Sequence, residues 1–415
     1  MKKVDWWLTG ICSSRVFNGL VFMTYPATLP VLQTEWTMSA TQAGSISGGF
    51  QLGYAVSLVI FSSLADRISA KTVYLRSMLA SGICALAFAF LARDFISGLI
   101  LQTLLGLALG GSYTTGVMII ADQYESKRRG MAVGFFIAST SCGYALSLII
   151  SGLALPLGGY PLSFFLTCLG PGLGWIVAEI TLRRTVVSVP ERRKEQHFTR
   201  EILGNRKAML LIIGYIFHNW ELQGMWAWSP AFMAVCLGAT GAVGLKAAGG
   251  GANIVALFHV MGLVASFSMG MLSDRLGRVK VMLILAASST ICSFVFGWTI
   301  GWPLWVIIGI GMVYAFTSLG DSPILSAALT EEMEPSYLGT ALGLRSFLGF
   351  IGAAIAPLVF GVILDWNNPL INGQRSYQTW GWSFVILGLG GLGAVWTISR
   401  YGTIRHDLLD FKKRT

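Results

Sequence analysis

The sequence predicts an all-α integral membrane protein with about twelve transmembrane helices in two six-helix pseudo-repeats. Three observations support this fold class. Hydrophobic residues make up 54% of the 415 residues and charged residues only 12%, long apolar runs recur along the chain, and two unrelated loop motifs repeat at one spacing. An ordinary soluble chain carries roughly 25% charged residues. A soluble domain of this size could not bury so much apolar surface, and the glycines follow no collagen period.

The apolar runs are long enough to cross a bilayer, which takes about 20 residues each. About twelve such runs lie near 6–33, 41–64, 74–92, 95–121, 130–156, 160–182, 208–236, 250–272, 280–299, 302–329, 339–364 and 380–399. The first run follows Lys2 and Lys3, as in a signal peptide. It is too long for one and contains Arg15 and Asn18, so we expect a retained first helix.

Lysine and arginine are distributed unevenly between the predicted loops. With the N-terminus inside, 24 of the 29 basic residues fall in cytoplasmic segments, three lie outside and only Arg15 and Arg345 lie within the membrane. Cytoplasmic loops carry an excess of these residues. Both termini are therefore predicted to be cytoplasmic. The net charge of +10 then reflects topology, and we expect no nucleic-acid partner.

The polar stretch 183–207 separates six predicted spans from the next six, which indicates an inter-domain cytoplasmic linker. We therefore predict an N-terminal six-helix bundle over 1–182, the linker over 183–207, a C-terminal bundle over 208–399 and a cytoplasmic tail over 400–415. Each of the six cysteines falls inside a predicted span, with no C-x-x-C pair. Nucleotide-binding loops, metal clusters and catalytic triads do not occur, so we expect neither a cofactor, a bound metal nor enzymatic activity.

Two motifs repeat between the halves. Leu64-Ala-Asp66-Arg67 matches Leu272-Ser-Asp274-Arg275 at an offset of 208 residues. A second motif, which begins at Glu125 and continues through Gly130 and Gly134, matches one that begins at Glu334 at an offset of 209. Two unrelated motifs with nearly the same displacement indicate parallel repeats. Such an architecture predicts a binding site at the bilayer midplane between the halves.

The first of these loops resembles the G-x-L-a-D-R-x-G-R-K signature of the major facilitator superfamily of secondary transporters. The second predicted span, from Gln42 to Tyr54, is also similar to the second helix of that family, and the resemblance covers the whole chain. The N-terminal loop has Ser62, Ser69 and Ala70 where glycine, glycine and arginine are usual. The resemblance implies a multi-pass transporter of the cell (inner) membrane that works by alternating access, and we expect a monomer.

Charged residues at the predicted cytoplasmic loops of both halves form a candidate gate. Ion pairs at a membrane edge can form in one conformation and break in the other, although these charges could instead only set topology. The candidate gate residues are Asp66, Arg67, Lys71, Asp122, Glu125, Arg129, Asp274, Arg275, Arg278, Glu331 and Glu334.

Six ionisable residues within the predicted spans are not explained by topology. Each costs at least ~2.5–3.5 kcal/mol to insert at the bilayer centre, so each is a candidate functional residue. They are Arg15, His218, Glu221, His259, Asp321 and Arg345.

Arg15 has Asn18 almost one turn further along the predicted helix, and no acidic residue nearby in sequence except Asp5. A guanidinium in this setting suits bidentate capture of an oxyanion. First spans line the central cavity in the family that the chain resembles. Arg15 and Asn18 are therefore candidate substrate-binding residues, and a structural ion pair is the alternative for Arg15.

The seventh predicted span holds further candidate substrate-binding residues, namely His218, Asn219, Trp220 and Glu221. Glu221 and His218 are also candidate proton carriers. The alternative for Glu221 is that it is a fixed counter-ion of Arg15. Gln51 and His259 occupy matching positions in the second and eighth spans and are predicted to face the site, although a lone histidine is more often a packing residue.

Asp321 and Arg345 lie at similar depth in adjacent predicted spans. We predict a mutual ion pair between them, with a direct role of Asp321 in proton coupling as the alternative.

These residues predict a secondary active transporter for a small organic or inorganic anion. The expected partners are the solute, protons moved in symport, and the lipid bilayer. One alternative is a proton-coupled efflux antiporter for cationic or amphiphilic compounds, in which Glu221 and Asp321 attract the substrate. A second alternative is a transporter-like receptor that does not cycle.

Overall fold

The computed structural model describes residues 5–187, 199–334, 337–371 and 375–414. The described residues are largely helical, and a short π-helical turn, Thr199–Leu203, precedes the seventh helix. The helices are α1 Trp6–Gly19, α2 Thr24–Glu35, α3 Ala40–Ile68, α4 Ala70–Leu91, α5 Phe95–Gln123, α6 Ser126–Leu182, α7 Arg206–Gly238, α8 Gly244–Leu276, α9 Arg278–Phe296, α10 Leu304–Gly320, α11 Ser322–Glu332, α12 Leu338–Asn367 and α13 Gly381–Arg414.

Two helix starts are fixed by side chains that replace missing backbone partners. At α3, the backbone N–H of Gln42 donates to Ser39 Oγ (3.1 Å), and the N–H of Ser39 donates to Gln42 Oε1 (3.0 Å). At α5, Asp94 and Ser97 form the equivalent reciprocal pair. Both are capping boxes, which satisfy donors that a helix end otherwise leaves without acceptors.

Four predicted spans differ from simple continuous helices. The first is interrupted at Leu20–Met23, between α1 and α2, and the tenth is interrupted at Asp321, between α10 and α11. The predicted fifth and sixth spans both lie in the 57-residue α6, whose backbone leaves helical geometry at Gly158 and Gly159. Gly159 has φ 67°, a value that glycine adopts without steric cost.

Nine helices in the described part of the chain are long and apolar enough to cross a membrane, counting α10 and α11 together and α6 once. The described helices are thus those of a multi-pass membrane protein. The total of twelve spans stays a prediction.

The chain divides into two compact units. Unit 1 comprises residues 1–192 and 227–260, and unit 2 comprises residues 193–226 and 261–415. The C-terminal part of α7 and the N-terminal part of α8 therefore belong to unit 1, together with α1 to α6. The sequence-based domain boundaries stay a prediction.

Glycines allow the helices of unit 1 to approach closely. A Cβ built on Gly106 of α5 would lie 2.1 Å from the carbonyl oxygen of Phe50 in α3, and one on Gly143 of α6 would lie 2.7 Å from the carbonyl oxygen of Val16 in α1. Such distances exclude any larger residue without displacement of the backbone. Small residues at helix crossings are typical of membrane bundles, so α1 packs directly on α6 and α3 directly on α5.

Candidate functional site

Arg15 lies on α1, inside unit 1, with its side chain 4% exposed. Its Nε donates to Thr140 Oγ1 of α6 (2.9 Å), and its Nη1 donates to Ser112 Oγ of α5 (2.9 Å). Within the part of the chain that the structure describes, no carboxylate lies within ion-pair distance of Arg15. The guanidinium is therefore buried among neutral hydroxyl acceptors that leave its positive charge without a counter-ion in unit 1.

Neighbouring side chains hold Arg15 in place. Asn18 Nδ2 donates to the same Ser112 Oγ (2.8 Å), so both predicted residues of the first span meet at one hydroxyl. The guanidinium carbon lies 5.5 Å from the ring centroid of Tyr113 and 5.6 Å from that of Phe136. These cation–π distances and two hydrogen bonds fix the guanidinium orientation before any ligand arrives.

Aromatic rings lie further along the chain from Arg15, in the break between α1 and α2 and on α3 and α6. Phe22 stacks on Tyr144 of α6, with ring centroids 4.1 Å apart and an interplanar angle of 21°. Phe22 also meets Phe50 of α3 edge to face at 4.8 Å and Tyr54 at 6.1 Å. Tyr144 in turn meets the imidazole of His259 edge to face at 5.8 Å. His259 and Gln51, both predicted to face a site, are buried in this unit.

Unit 2 holds a buried histidine–carboxylate pair. His218 Nδ1 of α7 lies 2.8 Å from Asp321 Oδ1, and the two side chains are 2% and 5% exposed. Asp321 sits at the break between α10 and α11, and the His218 ring stacks on Tyr215 with centroids 5.5 Å apart. Uptake or loss of one proton by this pair would change its net charge, and the short contact between the two groups requires no large movement of either side chain.

Glu221 lies less than one turn beyond His218 on α7 and is 4% exposed. Its Oε2 accepts a hydrogen bond from Ser289 Oγ of α9 (3.1 Å), and a Cβ built on Gly391 of α13 would lie 2.9 Å from the same oxygen. The carboxyl group is thus enclosed by α9 and α13 inside unit 2. Glu221 and Asp321 are two separately held buried acids.

Arg345 corrects one prediction. The expected ion pair between Asp321 and Arg345 is not formed, since Asp321 pairs with His218. Arg345 Nη1 instead donates to Ser326 Oγ (2.7 Å), and its guanidinium carbon lies 4.1 Å from the ring centroid of Tyr215. Their positions along the predicted spans placed both residues at the same depth in the membrane. Those positions did not give the direction in which each side chain points around its helix.

Asn219 and Trp220, the remaining predicted residues of α7, make local and packing contacts. Asn219 Nδ2 donates to the carbonyl oxygen of Tyr215 one turn earlier (3.1 Å). Trp220 Nε1 donates to the carbonyl oxygen of Ile386 in α13 (3.1 Å). The indole of Trp220 therefore anchors α7 to α13 within unit 2.

The predicted gate residues of unit 2 form a charged cluster. Arg278 contacts Asp274 (Nη2 to Oδ1, 3.2 Å) and makes a close ion pair with Glu331. Arg405 Nη2 lies 3.1 Å from Glu331 Oε2. Arg275 and Glu334 are exposed beside this cluster. One arginine thus joins the start of α9 to the end of α11.

The corresponding surface of unit 1 is organised differently. Ala70 occupies the position that matches Arg278 at the 208-residue offset, so an equivalent arginine bridge cannot form there. Lys71 Nζ instead donates to the carbonyl oxygen of Thr185 (3.1 Å). Arg129 Nε donates to the carbonyl oxygen of Tyr124 (3.3 Å). The predicted residues Asp66, Arg67, Asp122 and Glu125 are exposed.

The sequence did not identify the uncharged hydrogen-bond partners of Arg15 and Glu221. Ser112, Thr140 and Ser289 are hydroxyl residues in apolar helices, a pattern too common to single any of them out. Phe22 was also missed, because it lies in the break between α1 and α2, where helical spacing from Arg15 does not apply. No group of three or more His, Cys, Asp or Glu side chains within the described residues could hold a metal ion.

The fold and these buried charges are those of a membrane transporter, and the family model of the Major Facilitator Superfamily matches residues 11–254 and 240–408. The chain belongs to this family. It is therefore a multi-pass integral membrane protein of a transporter class and not an enzyme.

Named relatives and a solved structure agree with the family. The chain is 22% identical to the gentisate transporter of Corynebacterium glutamicum, over 85% of this chain and 79% of that protein. It is 23% identical to the hexuronate transporter of Bacillus subtilis, over 84% of this chain and 85% of that protein. The crystal structure of nucleoside transporter NupG superposes with a TM-score of 0.72 at 15% identity, over 96% of this chain and 99% of that chain. This last likeness shows the fold alone.

Proposed function

We propose that this protein is a secondary active transporter that moves a small organic anion, held through a carboxylate by Arg15, by proton-coupled alternating access. One observation carries the proposal. Arg15 is buried at 4% exposure with hydroxyl groups as its hydrogen-bond partners and no carboxylate partner among the described residues. A charge kept in the interior of a membrane bundle without a fixed counter-ion is a functional residue by default.

The chemistry of the guanidinium favours a carboxylate over other ligands. Two of its nitrogens donate to Ser112 and Thr140, which leaves further N–H groups for a bidentate oxyanion. An anion that binds there neutralises the buried charge, whereas a cation would be repelled. A buried charge of the opposite sign is therefore what the site lacks.

The relatives support the same class of substrate. Gentisate and hexuronate, the compounds in the two relatives' names, differ in the body of the molecule but are both carboxylates. What they share is the group that Arg15 can bind. The efflux alternative for a cation has less support, because Asp321 is already paired with His218.

Proton coupling is assigned to unit 2. The His218–Asp321 pair and Glu221 are buried ionisable groups on helices of unit 2, and ionisable residues inside membrane helices often form proton relays. Protonation neutralises a carboxylate and so changes which conformation is favoured. We further propose twelve spans, cytoplasmic termini, the cell (inner) membrane and a monomeric state, on the sequence evidence for each.

Arg15→Lys tests the function directly, because lysine keeps the charge but loses the planar fork. We expect uptake of a labelled carboxylate such as benzoate into proteoliposomes to fall at least about tenfold, with unchanged insertion. Arg76→Lys is the matched control, since Arg76 is exposed on unit 1. Wild-type uptake by Arg15→Lys would refute the assignment, and binding without flux in the wild type would favour the non-cycling receptor.

A further inference from the structure

Four aromatic side chains of unit 1 form a cluster beside Arg15, which we call the ring cluster: Phe22, Phe50, Tyr54 and Tyr144. Phe22 is its centre, because its ring stacks on Tyr144 and meets Phe50 and Tyr54 edge to face. Tyr144 lies four residues after Thr140, which accepts a hydrogen bond from Arg15 Nε. The positive charge and the aromatic rings therefore lie close together within this unit.

The two chain segments that carry these side chains run side by side. Arg15 and Gly19 lie on α1 and Phe22 follows in the break before α2, whereas Thr140, Gly143 and Tyr144 all lie on α6. Thr140 holds the guanidinium and Tyr144 stacks on Phe22.

Gly19 and Gly143 bring the two helices together between these levels. A Cβ built on Gly19 would lie 3.1 Å from Gly143 Cα. One helical turn of α6, about 5.4 Å, thus separates the group that binds Arg15 from the ring that binds Phe22.

We propose that the substrate is an aromatic carboxylate, whose carboxylate binds Arg15 while its ring packs against Phe22 and Tyr144. This inference rests on the proposed function, since it takes the anion site at Arg15 as given and names the rest of the ligand. A carboxyl group attached directly to a six-membered ring keeps its charge and its ring face close together in one small rigid molecule, so both can meet Arg15 and the neighbouring aromatic side chains at once. Aromatic rings in turn prefer the stacked and edge-to-face arrangements that Phe22 and Tyr144 already show.

The ring cluster also argues against a sugar acid. A hexuronate carries hydroxyl groups around its ring, and each of them needs a hydrogen-bond partner once it leaves water. The side chains of Phe22 and Phe50 offer none. These two rings therefore match an apolar ring better than the hydroxyl-bearing ring of a sugar.

A pair of ligands isolates the ring. Benzoate and cyclohexanecarboxylate have the same carboxylate and nearly the same size, but only benzoate is aromatic. We expect purified wild-type protein to bind benzoate roughly 3- to 10-fold more tightly than cyclohexanecarboxylate in calorimetry, the range that one aromatic pair gives. Glucuronate, the sugar acid in the panel, should bind more weakly than either.

Substitutions then show which side chains produce the preference for benzoate over cyclohexanecarboxylate. Phe22→Leu should reduce the ratio between the two ligands to about twofold or less, while cyclohexanecarboxylate still binds through Arg15. Phe164→Leu is the matched control, because Phe164 has the same kind of environment in unit 1, at 7% exposure against 8% for Phe22. Tyr144→Phe keeps the ring and should keep the ratio, so it tests the assignment even if Phe22→Leu does not fold.

The outcomes separate the two proposals. If benzoate and cyclohexanecarboxylate bind wild type equally, or glucuronate binds best, the aromatic inference is overturned while the carboxylate transporter stands. If no carboxylate binds in an Arg15-dependent way, the proposed function fails and the inference fails with it. If the Phe22→Leu variant still prefers benzoate over cyclohexanecarboxylate as strongly as wild type does, the ring of the ligand binds elsewhere. That result would overturn the assignment to the ring cluster.

Discussion

Ser69 and Gly277 hold the same backbone conformation at matching positions in the two repeats. Ser69 has φ 109° and ψ 133°, and Gly277 has φ 92° and ψ 134°. Each lies between two helices, α3 and α4 in one case and α8 and α9 in the other. The loop geometry of the repeat therefore persists in unit 1 although serine has replaced the residue that adopts it without strain.

Ser69→Gly should stabilise the protein by about 1 kcal/mol, because it removes the steric cost of a side chain at positive φ. The reverse change, Gly277→Ser, should destabilise by a similar amount. No atom lies within 4 Å of a Cβ built on Gly277, so its effect reports backbone strain alone. Thermal unfolding midpoints in detergent measure both, and a lower midpoint for Ser69→Gly would contradict the strain argument.

Arg278→Ala should lower the free energy of unfolding by about 0.5–1 kcal/mol, because the side chain joins Asp274 to Glu331 in a partly exposed cluster. The loss should shrink as salt is added, since exposed charges are screened. Unfolding midpoints at low and high ionic strength provide the measurement. Arg275→Ala, an exposed neighbour in the same loop, is the control, and a salt-independent loss would point to packing instead.

Tyr124→Phe should destabilise the protein near neutral pH and have less effect in acid. The hydroxyl of Tyr124 donates to Asp5 Oδ2 (2.6 Å) and, as the main cause, holds the pKa of Asp5 below its ordinary value of 3.8. A carboxyl group whose pKa is lower in the folded protein stabilises the fold at pH values above its unfolded-state pKa. This contribution is lost as the pH falls through its folded-state pKa.

The difference in unfolding midpoint between wild type and Tyr124→Phe should therefore be full above about pH 5, shrink as the pH falls below about 4, and be lost once the pH is below the folded-state pKa of Asp5. Midpoints across this range provide the check. A difference that stays constant with pH would show that the tyrosine acts by packing, for instance through its ring contact with Trp7.

Asp321→Asn should abolish uptake driven by a proton gradient while exchange of substrate across the membrane persists. The amide cannot take up a proton, so the pair with His218 no longer changes charge during the cycle. Gradient-driven uptake and counterflow in proteoliposomes separate these two activities. Glu35→Gln, at an exposed acid on α2, is the control, and gradient-driven accumulation by Asp321→Asn would refute the coupling role of Asp321.

The fold class and repeat could be predicted because their signals are local or periodic. Hydropathy marked the spans, and one offset near 208 residues aligned Asp66 with Asp274. The same offset led to Ser69 and Gly277, whose shared conformation follows the repeat. Helix interruptions were not predicted, because the break at Asp321 adds no change in hydropathy.

The candidate residues could be predicted by type and the contacts could not. Arg15 was identified as a buried cation without a nearby acid, since charge in an apolar run is visible in the sequence. Its partners Ser112 and Thr140 lie 97 and 125 residues away along the chain. The predicted partner of Asp321 was wrong for the same reason, because depth along a helix does not specify which face a side chain occupies.

The amino-acid sequence was thus sufficient for the membrane class, the two repeats and the list of buried charges, all of which follow from hydrophobicity and spacing along one chain. Tertiary packing decided that His218 rather than Arg345 pairs with Asp321, and that Phe22 stacks on Tyr144 beside Arg15. These contacts depend on how helices cross, and close crossings such as that of Gly19 with Gly143 are set by the shapes of both helices together.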